Sequence, residues 1–172
     1  PVVVDVGAPP RIERPAVEND LAYRYFTYLS PAHRASHPVH GAAYAIEPYV
    51  MAGDVYTQPP YAGRGGWSWY TGSAAWMHRA AVESIFGLQM RAGQLTLHPC
   101  FPSHWPRAEL RLRRGARTLR LVLVRGATEA AHEAAELGSV PLLAPGHSVS
   151  WDGLATESCF VVPLPALVPE AL

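Results

Sequence analysis

The chain has no lysine among its 172 residues, only two cysteines, and no apolar run long enough to span a membrane. Without lysine, a Walker-type phosphate loop, a Schiff-base enzyme and a lysine general base are excluded. The cysteines, Cys100 and Cys159, are too few for a disulfide framework and fit a reducing compartment. We therefore expect a cytoplasmic chain without a transmembrane segment.

The charges of the sequence are balanced, because fourteen arginines oppose fourteen acidic residues. A formal net charge of zero gives no electrostatic reason to expect a nucleic acid as partner. Apolar residues make up 49% of the chain, which is enough for a sizeable core. We expect one domain of ordinary size or two small units.

The first part of the chain carries helical patterns. Residues 1–17 are expected to form an irregular lead-in, because proline and arginine break any periodic pattern there. Apolar residues recur at helical spacing over residues 18–29, and the pair Ser30-Pro31 ends this predicted helix. A second helix is predicted over residues 73–86, with Ser73 as its cap and Gly87 as its left-handed stop.

Three histidines follow the first helix, in a segment predicted to be a loop over residues 32–41. Histidines at short spacing can share a metal ion. Here Pro38 interrupts the run, and neither cysteine nor carboxylate stands beside it. The pattern favours exposed loop histidines over a metal site, and we predict no metal for these residues: His33, His37 and His40.

The pattern changes to alternation after Gly93, where leucines alternate with polar residues along three segments. Period two around the glycine turn at residues 114–117 predicts an antiparallel hairpin. Residues 127–136 are read as a short helix or an exposed loop, and Val149, Trp151 and residues 160–162 as further strands. The predicted class is α+β, with helices over residues 18–91 and a small antiparallel β-sandwich over residues 92–172.

Arginines alternate along the predicted hairpin, at positions such as Arg111 and Arg113. Such a row could bind an anion. Alternating arginines on one face of a strand are more often a solvated surface, and this is the interpretation we prefer.

The stretch GRGGWSWYTGSAAW, residues 63–76, joins glycines and tryptophans to the start of the second helix. The unpaired N–H groups of a helix start attract anions, and Thr71 and Gly72 stand just ahead of the predicted start. Arg64 on the glycine loop could add a charge-assisted fork. These three residues form a candidate phosphate site.

Aromatic and acidic residues around this start suit a sugar. Flat aromatic faces match the C–H patches of sugar rings, and carboxylates match their hydroxyl groups. Glu47 and Asp54 lie in an apolar run, where structural salt bridging and substrate contact both remain open. A tryptophan-rich core at a helix start also remains open. The candidate sugar-binding residues are Glu47, Asp54, Trp67, Trp69 and Tyr70.

Three segments resemble motifs of family 94 of the glycoside hydrolases, which are inverting phosphorylases acting on β-linked glucosides. The longest is EPYVMAGDVYTQPPYAGRGGWSWYTGSAAWMHRAAVESIFGL at residues 47–88. LSPAHRA at residues 29–35 is similar to LNPINHA, and LTLHPCFPSHWP at residues 95–106 is similar to LxLDPCIPxxWP. These segments are most similar to the phosphorylase-like C-terminal domain of cyclic β-1,2-glucan synthases.

The resemblance implies the last helices of an (α/α)6 barrel followed by a β-sandwich extension. It implies that Thr71 and Gly72 bind inorganic phosphate, which is a co-substrate rather than a cofactor, and that the segment around Asp54 faces the sugar. The implied partners are a β-glucan or β-glucoside, phosphate, and the upstream barrel segment of a parent enzyme. That enzyme is expected in the cytoplasm, with association to the inner membrane left open.

The family's general acid is an aspartate on an earlier helix, which this chain lacks. We therefore expect a C-terminal portion of such an enzyme that contributes phosphate and sugar contacts, holds no catalytic residue and is inactive alone. Two alternatives remain open: a stand-alone carbohydrate-binding module and an inactive remnant.

Overall fold

The computed structural model describes residues 16–167. Most of the predicted lead-in, residues 1–15, lies outside this range. Helices occupy the first half of the described chain and return once in the second half. Their bounds are α1 Ala16–Leu29, α2 Pro31–Ala35, α3 Gly41–Tyr44, α4 Thr71–Arg79 and α5 Ala127–Glu136. None of the helices in residues 16–167 is both long and apolar enough to cross a bilayer.

Two helices differ from the sequence prediction in their bounds. The first predicted helix is present but begins at Ala16. The segment after it, predicted as a loop, contains α2, because Ser30 and Pro31 start a new turn instead of only ending the old one. His33 therefore lies in a helix, whereas His37 and His40 lie between α2 and α3.

Helix α4 continues into a π-helical segment, Ala80–Ile85, and the chain then turns at Gly87. Gly87 has a φ of 70°, and a β-carbon there would overlap the carbonyl of His98. Glycine is thus required by both conformation and space, which confirms the predicted stop. The predicted pair of Arg79 and Glu83 is also present, with two N–O contacts of 2.9 and 3.0 Å.

Within residues 16–167, eight strands form three sheets. Their bounds are β1 Asp54–Val55, β2 Gly65–Gly66, β3 Leu88–Arg91, β4 Gln94–Leu97, β5 Arg107–Arg114, β6 Arg117–Arg125, β7 Ser148–Ser150 and β8 Glu157–Leu164. The predicted hairpin is β5–β6, with Arg114 opposite Arg117 across its turn. Strand β3 was not predicted; it pairs with β4, and Leu88 belongs to it rather than to the preceding helix.

Two three-stranded sheets, β3-β4-β7 and β5-β6-β8, pack face to face around a leucine-rich core. The expectation of a purely antiparallel sandwich is wrong for one pair, because β6 and β8 run parallel. Parallel strands need a crossover connection, and α5 lies in that connection. The α+β class is confirmed.

Strand β6 is buried on both faces. Leu119, Leu121 and Leu123 face the sandwich core, while Val122 and Val124 face α5. Ala130 and Ala134 of α5 cover this second face, so residues 127–136 form a helix rather than an exposed loop. The two three-stranded sheets and α5, which we call the β unit, therefore form three layers: sheet, sheet and helix.

The segment Cys100 to Trp105 joins α1 to the β unit. Ser103 donates its N–H and its hydroxyl to the carboxylate of Asp20 in α1, and Tyr23 packs edge-on against Trp105. From the other side, the guanidinium of Arg125 in β6 donates to the carbonyls of Phe101, Pro102 and Trp105. The LTLHPCFPSHWP motif is thus the structural junction between the helices and the sheets.

Acidic residues hold three arginines of the hairpin, Arg107, Arg111 and Arg120. Glu109 accepts from Arg111 at 2.6 Å and from Arg120 at 2.8 Å, and Arg107 binds Glu133 of α5 at 2.9 Å. The hydrogen bonds from Arg120 and Arg111 lower the pKa of Glu109 to about 2. These three charges are therefore paired within the fold, whereas Arg113 is exposed and forms no ion pair within the described residues.

Candidate functional site

The two glycines of β2 are required by close packing. Strand β2 pairs with β1, so that Gly66 lies opposite Asp54. A β-carbon on Gly65 would stand 2.5 Å from Cγ1 of Ile46 and 3.0 Å from the ring of Tyr44. A β-carbon on Gly66 would overlap the carboxylate of Asp54. The sequence therefore needs Gly-Gly here because side chains from the facing segments occupy the space.

The turn after β2 holds two tryptophans in a strained conformation. Trp67 and Trp69 have φ values of 44° and 63°, which are unusual for bulky side chains. Backbone hydrogen bonds hold the turn: Gly53 N–H donates to the carbonyl of Trp67 at 2.9 Å, and Tyr70 N–H to that of Met51 at 3.0 Å. Strain of this kind concentrates at ligand sites. Both indoles are directed away from the core and are 79% and 62% exposed.

Exposed aromatic rings surround this turn. Trp69 meets Tyr49 edge-on at a centroid distance of 6.3 Å, and Trp67 meets Tyr70 at 6.5 Å. Trp76 lies further along α4, 68% exposed, with the Arg79 guanidinium 4.9 Å from its ring centroid. The alternative of a tryptophan-rich core is wrong for this chain, because these indoles do not contribute to its core. Contiguous exposed aromatic surface of this kind is typical of a binding face.

Helix α4 begins two residues earlier than the sequence predicted. Thr71 and Gly72 are its first two residues, and Ser73 is the third residue rather than the cap. The first helical bond runs from Ala74 N–H to the Tyr70 carbonyl at 3.1 Å. The N–H groups of residues 71–73 therefore precede the helical hydrogen bonds. Both Thr71 and Gly72 are exposed, and no atom lies within 4 Å of the side-chain position of Gly72.

An open cleft of about 360 Å³ lies beside the turn. The Arg64 guanidinium lies 5.8 Å from the ring centroid of Tyr61 and forms no ion pair within residues 16–167. Of the predicted site residues, Arg64 and Trp67 line this cleft. It is not lined by Thr71, Gly72 or Glu47. Its lining residues are Tyr56, Tyr61, Arg64, Gly65, Gly66 and Trp67.

The two carboxylates of the apolar run, Glu47 and Asp54, are both exposed. Neither forms an ion pair with another residue of the described chain, so the salt-bridge interpretation finds no support. The Asp54 carboxylate lies beside Gly66, which lines the cleft. The Tyr56 hydroxyl also lies beside Gly66. Tyr56 and Tyr61 were not predicted as site residues, because their position depends on the pairing of β1 with β2.

The three histidines serve local structure. His33 bonds to the Ser30 hydroxyl at 2.9 Å, and Nδ1 of His37 accepts from the N–H groups of Val39 and His40. All three side chains are exposed. Within the described chain, no three histidine, cysteine or acidic side chains are arranged to hold a metal ion.

The segment that contains the candidate site is similar to known proteins. Residues 17–87 match the family model described as glycosyl hydrolase 94 superfamily, catalytic domain. The resemblance predicted from the motifs is thereby confirmed, and the turn, the cleft and the start of α4 all lie within the matched range.

Two curated proteins are similar to the chain. Cyclic beta-(1,2)-glucan synthase NdvB from Rhizobium meliloti (strain 1021) is 43% identical over 104 residues, which is 60% of this chain and 4% of the relative. Solabiose phosphorylase from Paenibacillus borealis is 31% identical over 67 residues, which is 38% of this chain and 9% of the relative. The chain thus corresponds to a small part of either relative.

Proposed function

We propose that this chain contributes part of the phosphate and sugar site of a glycoside phosphorylase or a cyclic β-1,2-glucan synthase-like enzyme. One observation carries the proposal. The exposed start of α4 at Thr71 and Gly72 directly follows a strained turn that exposes Trp67 and Trp69. An anion site and an aromatic wall therefore adjoin within a segment that matches a family of glycosyl-transferring enzymes.

The phosphate would bind at the start of α4. The N–H groups of Thr71, Gly72 and Ser73 supply donors, and the positive end of the helix dipole favours an anion. The missing side chain of Gly72 lets an oxygen approach its N–H closely, and the Thr71 hydroxyl adds a donor. Arg64, whose guanidinium is not neutralised within the described chain, would supply a second positive group on ligand binding.

The sugar would bind against the aromatic rings. A pyranose ring presents C–H groups on its faces and hydroxyls at its edge, which suits a flat indole beside a carboxylate. Trp67, Trp69 and Tyr70 supply the rings, and Asp54 and Glu47 supply the acceptors. The substrate class we propose is a β-linked glucan or glucoside, since one relative is named for a beta-(1,2)-glucan and the other for solabiose.

The proposed reaction is transfer of a glycosyl group to phosphate. A phosphate oxygen attacks the anomeric carbon in line, the bond to the glycosidic oxygen breaks, and that oxygen receives a proton from a carboxylic acid. Phosphate replaces the activated water of an inverting glycosidase, so one protein carboxyl group suffices. We assign no residue of this chain as that acid, and phosphate is a co-substrate, so no cofactor is needed.

The helices would complete the site as the last helices of an (α/α)6 barrel. Helix α1 carries exposed apolar residues four apart, Leu21, Tyr25 and Leu29. A stripe at this spacing is the kind of surface that packs against a neighbouring helix. We propose that the upstream barrel segment of the parent enzyme covers it.

A second candidate is a stand-alone carbohydrate-binding module, favoured by the exposure of Trp67 and Trp69. A titration of the isotope-labelled chain with inorganic phosphate, at constant ionic strength set by chloride, separates the two. The phosphorylase proposal expects amide shifts at Thr71, Gly72 and Ser73, and their absence would contradict the phosphate site. Glucan binding without any phosphate effect would favour the binding module.

A further inference from the structure

Two polar groups converge beside Gly66. Asp54 and Tyr56 lie two positions apart on the same extended segment, and their side chains meet over the Cα of Gly66. A β-carbon on Gly66 would overlap the Asp54 carboxylate and would stand 2.9 Å from the Tyr56 hydroxyl oxygen. Because Gly66 has no side chain, the Asp54 carboxylate and the Tyr56 hydroxyl lie side by side over its Cα, next to the cleft that Tyr56 and Gly66 line. We call this the Gly66 notch.

Neither polar group is used by the fold. Within residues 16–167 the side-chain oxygens of Asp54 and Tyr56 form no hydrogen bond or ion pair, although they lie close together. The Tyr56 side chain is 43% exposed and the Asp54 side chain is exposed as well. A tyrosine kept only for packing would bury its ring, so both groups remain available to a ligand.

The phenol is nevertheless held in place. Tyr56 N–H donates to the carbonyl of Arg64 at 2.9 Å, and Gly63 N–H donates to the carbonyl of Tyr56 at 2.8 Å. Its ring meets Tyr61 edge-on at 6.3 Å across the cleft. Holding a polar group in advance lowers the entropic cost of binding.

We propose that Tyr56 is a specificity-determining residue which, together with Asp54, holds two neighbouring hydroxyls of the sugar ring in the Gly66 notch. The carboxylate accepts a hydrogen bond from one hydroxyl, and the phenol donates to or accepts from the next. Trp67 lines the same cleft. The inference rests on the proposed function, because it names the contact by which that site recognises its sugar.

One conservative change tests the notch. Tyr56→Phe removes one oxygen and keeps the ring. Tyr25→Phe is the matched control, because Tyr25 is 58% exposed on α1 and lies outside the cleft. The probe is methyl β-D-glucopyranoside and its monodeoxy analogues, titrated into the full chain and followed by NMR.

The wild-type chain and Tyr25→Phe should bind the glucoside equally. Tyr56→Phe should bind it roughly two- to tenfold more weakly, as expected for one hydrogen bond. For the wild-type chain, one deoxy analogue should bind more weakly than methyl β-D-glucopyranoside. For Tyr56→Phe, that same analogue and methyl β-D-glucopyranoside should bind equally well. Equal losses for every analogue in both proteins would overturn the contact.

The outcomes also separate this inference from the proposal on which it rests. If Tyr56→Phe binds the glucoside as tightly as the wild type does, the Gly66 notch is overturned but the sugar site is not. No glucoside binding by the wild type overturns the sugar site and the notch together. The phosphate titration is unaffected by either result, because it reads the start of α4.

Discussion

The carboxylate of Asp20 on α1 accepts two hydrogen bonds from Ser103, one from its N–H at 2.6 Å and one from its hydroxyl at 2.7 Å. The two residues lie 83 positions apart in the sequence. Burial opposes ionisation of Asp20, but the bonds from Ser103 and the charges of His104 and Arg125 lower its pKa overall. This contact fixes the helix that begins the described chain against the β unit.

We predict that Asp20→Asn lowers the free energy of unfolding at pH 7 by about 1–2 kcal/mol, because charged hydrogen bonds are replaced by weaker neutral ones. A carboxylate with a lowered pKa stabilises the fold above its unfolded pKa, near 3.8, and this contribution disappears as pH falls through the folded pKa. Urea unfolding of both proteins should therefore show a difference that shrinks in acid. Asp152→Asn, at an 86% exposed side chain, is the control and should stay near wild type.

Glu109 should make the β unit sensitive to acid. Hydrogen bonds from Arg120 and Arg111 lower its pKa from 4.5 to about 2. Its stabilisation is complete above about pH 4.5 and is lost as the pH falls towards 2. We expect Glu109→Gln to cost about 1–2 kcal/mol at pH 7, a value reduced for partial solvent exposure, and almost nothing at pH 2.

Urea unfolding between pH 2 and pH 7 checks this prediction. Glu157→Gln changes an exposed acid at the start of β8 and serves as the matched control. A Glu109→Gln variant that keeps the pH dependence of the wild type would place the acid sensitivity elsewhere.

Local sequence patterns predicted the secondary-structure elements that depend on residues close together in the chain. The alternation of leucines predicted the β5–β6 hairpin, because its two strands are joined by a short glycine turn. The parallel pairing of β6 with β8 was missed, because it joins distant segments across α5. A signal existed in the sequence: residues 121–124 are continuously apolar, as expected for a strand buried on both faces. Strand β3 was missed because only Leu88 of its four residues is buried.

Some residues of the candidate site were likewise predicted from the sequence, and others were not. Thr71 and Gly72 were predicted near a helix start, and the true start lies at Thr71 because Tyr70, not Ser73, occupies the cap position. The cleft residues Tyr56 and Tyr61 could not be selected from the sequence. The position of Tyr56 beside Gly66 follows from the register of Asp54 with Gly66, which involves only two residue pairs.

Thr71→Ala should weaken phosphate binding by about 1–3 kcal/mol, the usual range for losing a hydrogen bond to a charged group. Binding of methyl β-D-glucopyranoside alone should change little, because the hydroxyl is assigned to phosphate. Titration with phosphate, followed by amide shifts of Gly72 and Ser73, measures the effect. Thr128→Ala is the matched control, because Thr128 is exposed at the second position of α5, another helix start without the aromatic wall. Equal effects of the two substitutions would contradict a specific phosphate site.

The exposed stripe of α1 should make the isolated chain self-associate. Leu21, Tyr25 and Leu29 are 43%, 58% and 58% exposed, and contiguous exposed apolar surface favours association. Light scattering after size-exclusion chromatography should show species larger than a monomer. Replacing Tyr25 and Leu29 by glutamate should shift the chain towards the monomer, whereas the same change at Met90, 44% exposed on β3, should not. A wild-type monomer at all concentrations would contradict the prediction.

The chain on its own should have no phosphorolytic activity. A glycosidic oxygen is a poor leaving group, and general acid assistance contributes a factor of about 10²–10⁴ in rate. Glu47 and Asp54 are the carboxylates near the proposed site, and neither corresponds to the family's acid. The sugar must also be held in a fixed orientation, and the cleft that the described residues form is open. Incubation with phosphate and β-linked gluco-oligosaccharides, followed by an assay for glucose 1-phosphate, should give no product.

Product that disappears in Thr71→Ala would show a complete site within these 172 residues and would overturn the proposed division of roles. Activity that requires an added upstream barrel segment would support that division, because the acid would then come from the added part.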